Sequence, residues 1–386
     1  MRYITATSIF SGKEYLPKNT VLVLDEQNTI TDIISADDLD KGKIEHHKGI
    51  ITPGFINTHC HIELSHLKDK IERGTGIVEF GLQIIKTRNE IPVELQIEYM
   101  QQADKTMQEQ GIVAVGDISN TAFSIQIKER SSLFYHTFVE LIALNPQRAE
   151  VVFTAGKELL KQFEDCKLSA SLAPHAPYTT SLELIKLISN DCAKINKPTS
   201  IHNQESIAEN DFFKYKTGDY LKLYSTLNIP IDYHVATGKS SLQSVIESFN
   251  KEANTLLVHN TFTDQKDVAV AKKQHQNLFW CLCPNANLYI ENSLPNGSLL
   301  EADQCVLTLG TDSLASNAGL SIIEEINCLL KHQSILNIET LLTAATYNGA
   351  QFLGLGNNFG LIEKNKKPGI NLIEGKPGDY SVKKLG

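Results

Sequence analysis

The sequence predicts an α/β fold, a (β/α)8 TIM barrel carrying a small β-sandwich formed from both chain termini. Three observations carry this. Between residues 53 and 312, apolar runs of strand length alternate with helix-period segments. The two chain ends are strand- and turn-rich, and neither is long enough to fold alone. Histidines and acidic residues recur at the C-terminal ends of the apolar runs, where a barrel gathers its chemistry.

In chain order, the first elements are short strands at Arg2–Phe10, Thr20–Leu24 and Thr29–Ile34. The barrel begins with the run Gly49–Ile56 ahead of His59. Seven further strands follow at Ile112–Asp117, Leu133–Glu140, Leu168–His175, Thr199–His202, Thr255–His259, Leu278–Cys283 and Val306–Asp312. Amphipathic segments between them include Glu94–Gln110, Arg148–Phe163, Ser181–Ile195, Ser241–Asn250 and Thr263–Gln274. Eight strands and their helices over roughly 260 residues match the size of one barrel. A doubly wound open sheet competes, but no glycine-rich phosphate turn follows the first strand. The tail, Pro368–Ile373 then Asp379–Val382, returns to strands and is expected to join the N-terminal ones. The expected division is a β-sandwich of residues 1–52 plus 360–386 and a barrel of residues 53–359.

Bulk properties exclude more than they identify. Net charge is -9 and the 36 basic residues are scattered, with no patch interleaved with aromatics, so nucleic acid is not an expected partner. The seven cysteines are odd in number and follow no disulfide spacing, which fits a reducing compartment. Cys281 and Cys283 sit in an apolar strand and read as core filler. The N-terminus lacks a signal-peptide core, and no apolar run approaches the roughly 18–20 residues of a membrane span. A cytoplasmic protein with a small-molecule partner is expected, without membrane association, and a homodimer is an allowed assembly.

The chemistry is concentrated at the strand ends. His59 and His61 are two apart and project to the same side of an extended chain. Later strands supply His175, His202 with Glu205 three residues on, His259, and Asp312. Three neutral imidazoles and a carboxylate suit Zn²⁺ or Fe²⁺ with a position left for water, so His59, His61, His202 and Asp312 are the expected ligands. A metal there lowers the pKa of its water toward ~7. Asp312 can take that water's proton, His259 can orient the water, and Glu205 is the expected acid toward a ring nitrogen or leaving group. His175 is better placed as a substrate contact.

These residues, in this order, resemble the amidohydrolase superfamily over nearly the whole chain. The matching stretches are Pro53–His61, Pro174–Tyr178, His202–Glu205, Cys283–Leu288, Gly310–Ser313 and the helix-like Ala344–Ala350. The resemblance implies a barrel flanked by a terminal sandwich. It is strongest to the mononuclear aminohydrolase and chlorohydrolase branch, which includes guanine, S-adenosylhomocysteine and aminodeoxyfutalosine deaminases; the histidine-x-x-glutamate at His202 is that branch's mark. No lysine follows Lys167 on the fourth strand, so one metal rather than two is expected, with Zn²⁺ favoured. The chain departs from the family pattern at Asn203–Gln204 and at Asn371, where aspartate is usual.

The expected function is hydrolytic deamination of an amino-substituted heterocycle, a purine base or nucleoside-like compound, by metal-activated hydroxide with release of ammonia. The rivals are a metal-dependent chlorohydrolase or cyclic amide hydrolase on the same scaffold, and a non-catalytic binding relative. Glu63, Phe80, Arg88 and His175 are the expected substrate contacts, with the segment 74–91 lying over the barrel mouth and Gly74 and Gly76 permitting its movement.

Overall fold

The computed structural model describes residues 1–332 and 336–386. Strands β1 (Arg2–Ile9), β2 (Thr20–Leu24), β3 (Ile30–Ser35) and β4 (Ile44–Pro53) come first. They combine with β13 (Ile370–Lys376) and β14 (Asp379–Lys384) from the tail in one six-stranded sheet, ordered β14-β13-β4-β1-β2-β3. Only β1 and β4 run parallel; the other neighbours are antiparallel. Ile4, Leu22, Leu24, Ile30, Ile51, Ile370 and Leu372 from five of these strands share one core. The β3 end also meets the segment before β13, where the Asn365 amide donates to the Ile30 carbonyl at 2.7 Å and Ile30 donates to Lys366 at 2.9 Å. The terminal strands thus form one sheet separate from the barrel strands, and the tail completes it.

The chain passes from this sheet to the barrel at Gly54. A Cβ there would lie 2.2 Å from Val113 Cγ1, so no side chain fits at the crossing. The barrel strands are β5 (Phe55–Cys60), β6 (Ile112–Ser119), β7 (Phe134–Leu141), β8 (Ser169–Pro174), β9 (Thr199–Asn203), β10 (Thr255–His259), β11 (Leu278–Leu282) and β12 (Val306–Leu309). They pair in parallel as two runs, β5-β6-β7-β8 and β9-β10-β11-β12.

Two seams close the ring. At one, the His202 amide donates to the His175 carbonyl at 2.9 Å. At the other, the Thr311 and Asp312 amides both donate to the His59 carbonyl, at 3.0 and 3.1 Å, and Cys60 bridges Asp312 in parallel. Thr58 Oγ1 reinforces this seam by donating to the Leu309 carbonyl at 2.9 Å. Both seams are thus made beside the expected ligands.

The helices lie close to their expected positions, at Val93–Glu109, Ala149–Asp165, Leu182–Lys194 and Gln265–Gln274. The segment beginning at Ser241 is shorter than its periodicity suggests. Its α-helix ends at Val245 and a 3-10 turn carries on to Ser248. Beyond β12, a π turn at Ala344–Asn348 leads into a helical turn at Gly349–Phe352. Gly349 rests on β5, where a Cβ would lie 2.9 Å from Ile56 Cβ. No helix among the described residues is long and apolar enough to cross a membrane.

Candidate active site

Three imidazoles meet at the C-terminal end of the barrel. His61 Nε2 lies 3.1 Å from His59 Nε2 and 3.2 Å from His202 Nε2. Asp312 Oδ1 stands 3.5 Å from His59 Nε2 and 3.4 Å from His61 Nε2. His59 is the penultimate residue of β5, while His61 lies one residue past the strand on the turn into the 3-10 helix Ile62–Leu67. Asp312 lies three residues beyond β12 rather than within it, and the seam to β5 carries it back to the histidines.

The protonation of these groups bears on what they can hold. His202 Nδ1 donates to the His175 carbonyl at 2.7 Å, so its Nε2 presents a lone pair to the cluster. Burial, followed by the neighbouring His175, holds His202 well below the usual imidazole range. Burial and then His59 push His61 down as well. For Asp312, burial pushes the carboxyl up, but the His59 contact, then His61 and His259, outweigh it and hold it well below the usual carboxylate range. Its Oδ2 accepts from Ser316 Oγ at 2.5 Å.

The ring nitrogens and the carboxylate oxygen face one another at 3.1–3.5 Å, close enough to share one cation. Four donors held ~2.1 Å from one tetrahedral centre lie about 3.4 Å apart. These spacings therefore fit a zinc-type ligand set, and His59, His61, His202 and Asp312 are the residues that would hold the ion.

Glu205 and His259 form a buried pair beside this cluster. Glu205 Oε1 stands 3.6 Å from His259 Nε2. Burial pushes the Glu205 carboxyl well above its usual range, and the charges of Asp312, Glu291 and Glu209 add to this. Burial pushes His259 down to about 3. Asn287 Nδ2 faces His259 Nδ1 at 3.1 Å; with that amide orientation the ring proton sits on Nε2, toward Glu205.

The backbone here is strained. Gln204, His259, Asn260 and Asp312 have φ of 47°, 75°, 57° and 55°, a left-handed region that non-glycine residues occupy at a cost of about 1–3 kcal/mol each. Hydrogen bonds hold each turn. Asn260 Nδ2 donates to the carbonyls of Leu257 and Cys281, at 2.8 and 3.1 Å. The amides of Gln204 and Glu205 donate to the two oxygens of Glu209, at 3.0 and 3.2 Å.

The four expected substrate contacts diverge. His175 stays with the cluster, its ring centroid 4.9 Å from that of His202 and its Nδ1 at 2.6 Å from Thr179 Oγ1. Glu63 turns to the loop after β6, where its carboxylate accepts from the Asn120 amide at 3.0 Å, the Thr121 amide at 3.3 Å and Thr121 Oγ1 at 2.8 Å. Glu63 and Arg88 line a cavity of about 20 Å³ with Thr121 and Phe123, room for a single water. Phe80 packs with Leu67, Ile71, Ile290 and Ala315. The segment beginning at Gly74 is tied down, with Gly74 and Gly76 donating to the carbonyls of Tyr289 and Ile290 and Ile77 donating to Glu291.

Sequence reasoning did not pick out Glu209, Asn287, Ser316 or Glu140. Glu140, the penultimate residue of β7, has one oxygen bonded to Asn120 Nδ2 at 2.9 Å and the other 3.8 Å from His202 Nδ1. The only signal for it in the chain was an acidic residue closing an apolar run.

A barrel with this cluster of histidines and aspartate at its strand ends defines a class, and the chain as a whole agrees: residues 50–385 match the amidohydrolase family, and the protein belongs to it. It is an enzyme, a hydrolase acting on carbon–nitrogen bonds other than peptide bonds. An adenosine deaminase from Helicobacter pylori is 27% identical over 328 residues, covering 84% of this chain and 78% of that one. The crystal structure of H. pylori aminofutalosine deaminase in complex with methylthio-coformycin is similar with a TM-score of 0.81 at 24% identity, over 97% of this chain and 93% of that one. Atrazine chlorohydrolase from Arthrobacter aurescens, complexed with zinc, is similar with a TM-score of 0.74 at 14% identity, over 96% and 86%. At these identities the two structures speak for the fold alone.

Proposed function

We propose that the protein is a metal-dependent aminohydrolase that deaminates a purine base or nucleoside-like compound and releases ammonia. The observation that carries this is the buried Glu205–His259 pair, 3.6 Å apart, beside a three-histidine, one-aspartate cluster. The names of its relatives, adenosine deaminase and aminodeoxyfutalosine deaminase among them, support the same reaction. His59, His61, His202 and Asp312 are the proposed ligands of one divalent ion, Zn²⁺ by the match of donor types and spacings. Residues 53–359 form the hydrolase barrel in this reading, and residues 1–52 with 360–386 the sandwich.

When bound, the ion lowers the pKa of water toward ~7 and so supplies a nucleophile at neutral pH. The residues manage the protons. Asp312, held ionised, takes the proton that the attacking water gives up. Glu205 is protonated by virtue of burial and gives its proton to the ring nitrogen beside the amine-bearing carbon. His259 donates from Nε2 to the incoming oxygen and stabilises charge there. As the carbon–nitrogen bond breaks, the proton on Asp312 passes to the departing amine, which leaves as ammonia. The remaining hydroxyl proton returns to Glu205, and the product keeps a carbonyl beside the protonated ring nitrogen. His175 is the proposed substrate contact that lies nearest the ligands.

The test is ammonia release from a panel of adenosine, 5'-deoxyadenosine, aminodeoxyfutalosine, guanine and amide compounds by the zinc-loaded protein. Ammonia from an aminoheterocycle, abolished by Glu205→Gln, is the expected result. Chloride or acid released without ammonia would overturn deamination in favour of the halide or amide reading.

A further inference from the structure

Glu140 has no role in the chemistry above, yet it is placed as if it had one. Its side chain is 4% exposed. Oε2 is satisfied by Asn120 Nδ2, but Oε1 is buried without a hydrogen-bond partner. A buried carboxylate oxygen left unpaired costs free energy, and such an oxygen at a native site calls for a reason. Its one ion-pair partner among the described residues is the His202 imidazole, whose Nδ1 stands 3.8 Å away. That nitrogen already donates to the His175 carbonyl at 2.7 Å, so it cannot ligate a second ion, and Glu140 stands against it and the His175 ring, the ligand atoms of all three within 4.8 Å of one another.

We infer that Glu140 is a positioning residue for the metal centre, a buried carboxylate that holds and polarises His202 from behind. The inference rests on the proposed metal site, not on the identity of the substrate. A divalent ion with three neutral imidazoles and Asp312 leaves one net positive charge in a dry site. Glu140, on the far edge of the His202 ring, cancels it. Without the ion, its charge faces only neutral imidazoles. Ion and carboxylate therefore stabilise each other, and the unpaired Oε1 is the trace of that coupling. Outer carboxylates behind ligating histidines commonly change metal affinity 10–100-fold. The loop after β6 fixes the position: Glu63 clamps the amides of Asn120 and Thr121, and Asn120 in turn holds Glu140. Glu63 thus bears on Glu140 at one remove, through this loop.

The experiment measures Zn²⁺ affinity of the full chain by competition with a chelator of known affinity, and the melting temperature with and without Zn²⁺. Glu140→Gln is expected to bind Zn²⁺ at least tenfold more weakly. Its metal-free form should melt no lower than the metal-free parent, while the rise on adding Zn²⁺ shrinks. Asn120→Ala, which frees the carboxylate without removing its charge, should weaken binding less. Parental Zn²⁺ affinity in Glu140→Gln would overturn the inference, as would an equal loss of stability with and without metal, which marks a packing role only. His202→Ala is the control: if it binds Zn²⁺ like the parent, the metal site itself is wrong, a result distinct from the failure of Glu140.

Discussion

His259 Nε2 faces Glu205 Oε1 across 3.6 Å with both side chains buried, and the two groups are pushed in opposite directions. Burial holds a proton on Glu205 and keeps His259 neutral. A carboxylic acid beside a neutral imidazole is a proton donor kept ready in a dry site, the arrangement that pairs of titratable groups adopt when one must act as acid.

Replacing Glu205 with glutamine keeps the shape and removes that proton. Turnover is expected to fall by roughly 10²–10⁴-fold. Zinc content measured by elemental analysis should stay at the parental level, because Glu205 is not a ligand. A variant retaining full turnover excludes Glu205 as the acid.

The ligand set makes its own prediction. His61→Ala or Asp312→Asn is expected to lose the bound ion and all activity. In the parent, a chelator should lower the melting temperature reversibly, since an ion present at about 1,000 times its dissociation constant stabilises a fold by roughly 4 kcal/mol. No change in melting on chelation, with activity intact, would remove the ion from the mechanism.

The histidines, Glu205 and Asp312 were legible in the chain because each follows an apolar run, and a barrel presents strand ends to one face. The barrel and the joined termini were legible for the same reason, since strand-length runs and helix-period segments alternate over enough residues for one closed ring. Glu209 was not, because it sits inside the helix Ile207–Tyr215, and only the left-handed turn at Gln204 brings two amides to its carboxylate. The surroundings of Glu63 were not legible for a related reason. Its spacing from His61 suggests a substrate contact, and the 3-10 turn after β5 also brings its carboxylate to the amides of residues 120 and 121. Periodicity reports which face a residue occupies within its element, not which neighbouring loop reaches it.

Glu209 gives a pH prediction with a definite sign. Burial pushes its carboxyl up to about 7, against about 4.3 in an unfolded chain. Between those values the folded state binds the extra proton, so stability is fullest below about pH 4.3 and is lost as pH rises through 7. Glu209→Gln should flatten the stability–pH curve in that window by up to about 1.4 kcal/mol per pH unit. Denaturant midpoints at pH 5, 6 and 7 read this directly; an unchanged slope would show that Glu209 is ionised throughout.

Beneath the His61 turn lies a buried charged pair, Lys128 and Asp117, 2.7 Å apart with neither side chain exposed. Lys128 Nζ also donates to Ser119 Oγ and Thr137 Oγ1, at 3.0 and 2.9 Å, while Asp117 Oδ1 accepts from the Ile62 amide at 2.8 Å. Asp117 thereby fixes the backbone one residue beyond His61. Lys128→Met strands the Asp117 charge in a dry interior, and breaking a buried pair from one side costs about 3–5 kcal/mol. Lys128→Met with Asp117→Asn removes both charges and should recover most of that loss, since an asparagine oxygen still accepts from Ile62. Unfolding of the metal-free forms in guanidinium measures both. If the double variant is as unstable as Lys128→Met alone, the cost lies in packing around the lysine stem and not in the stranded charge.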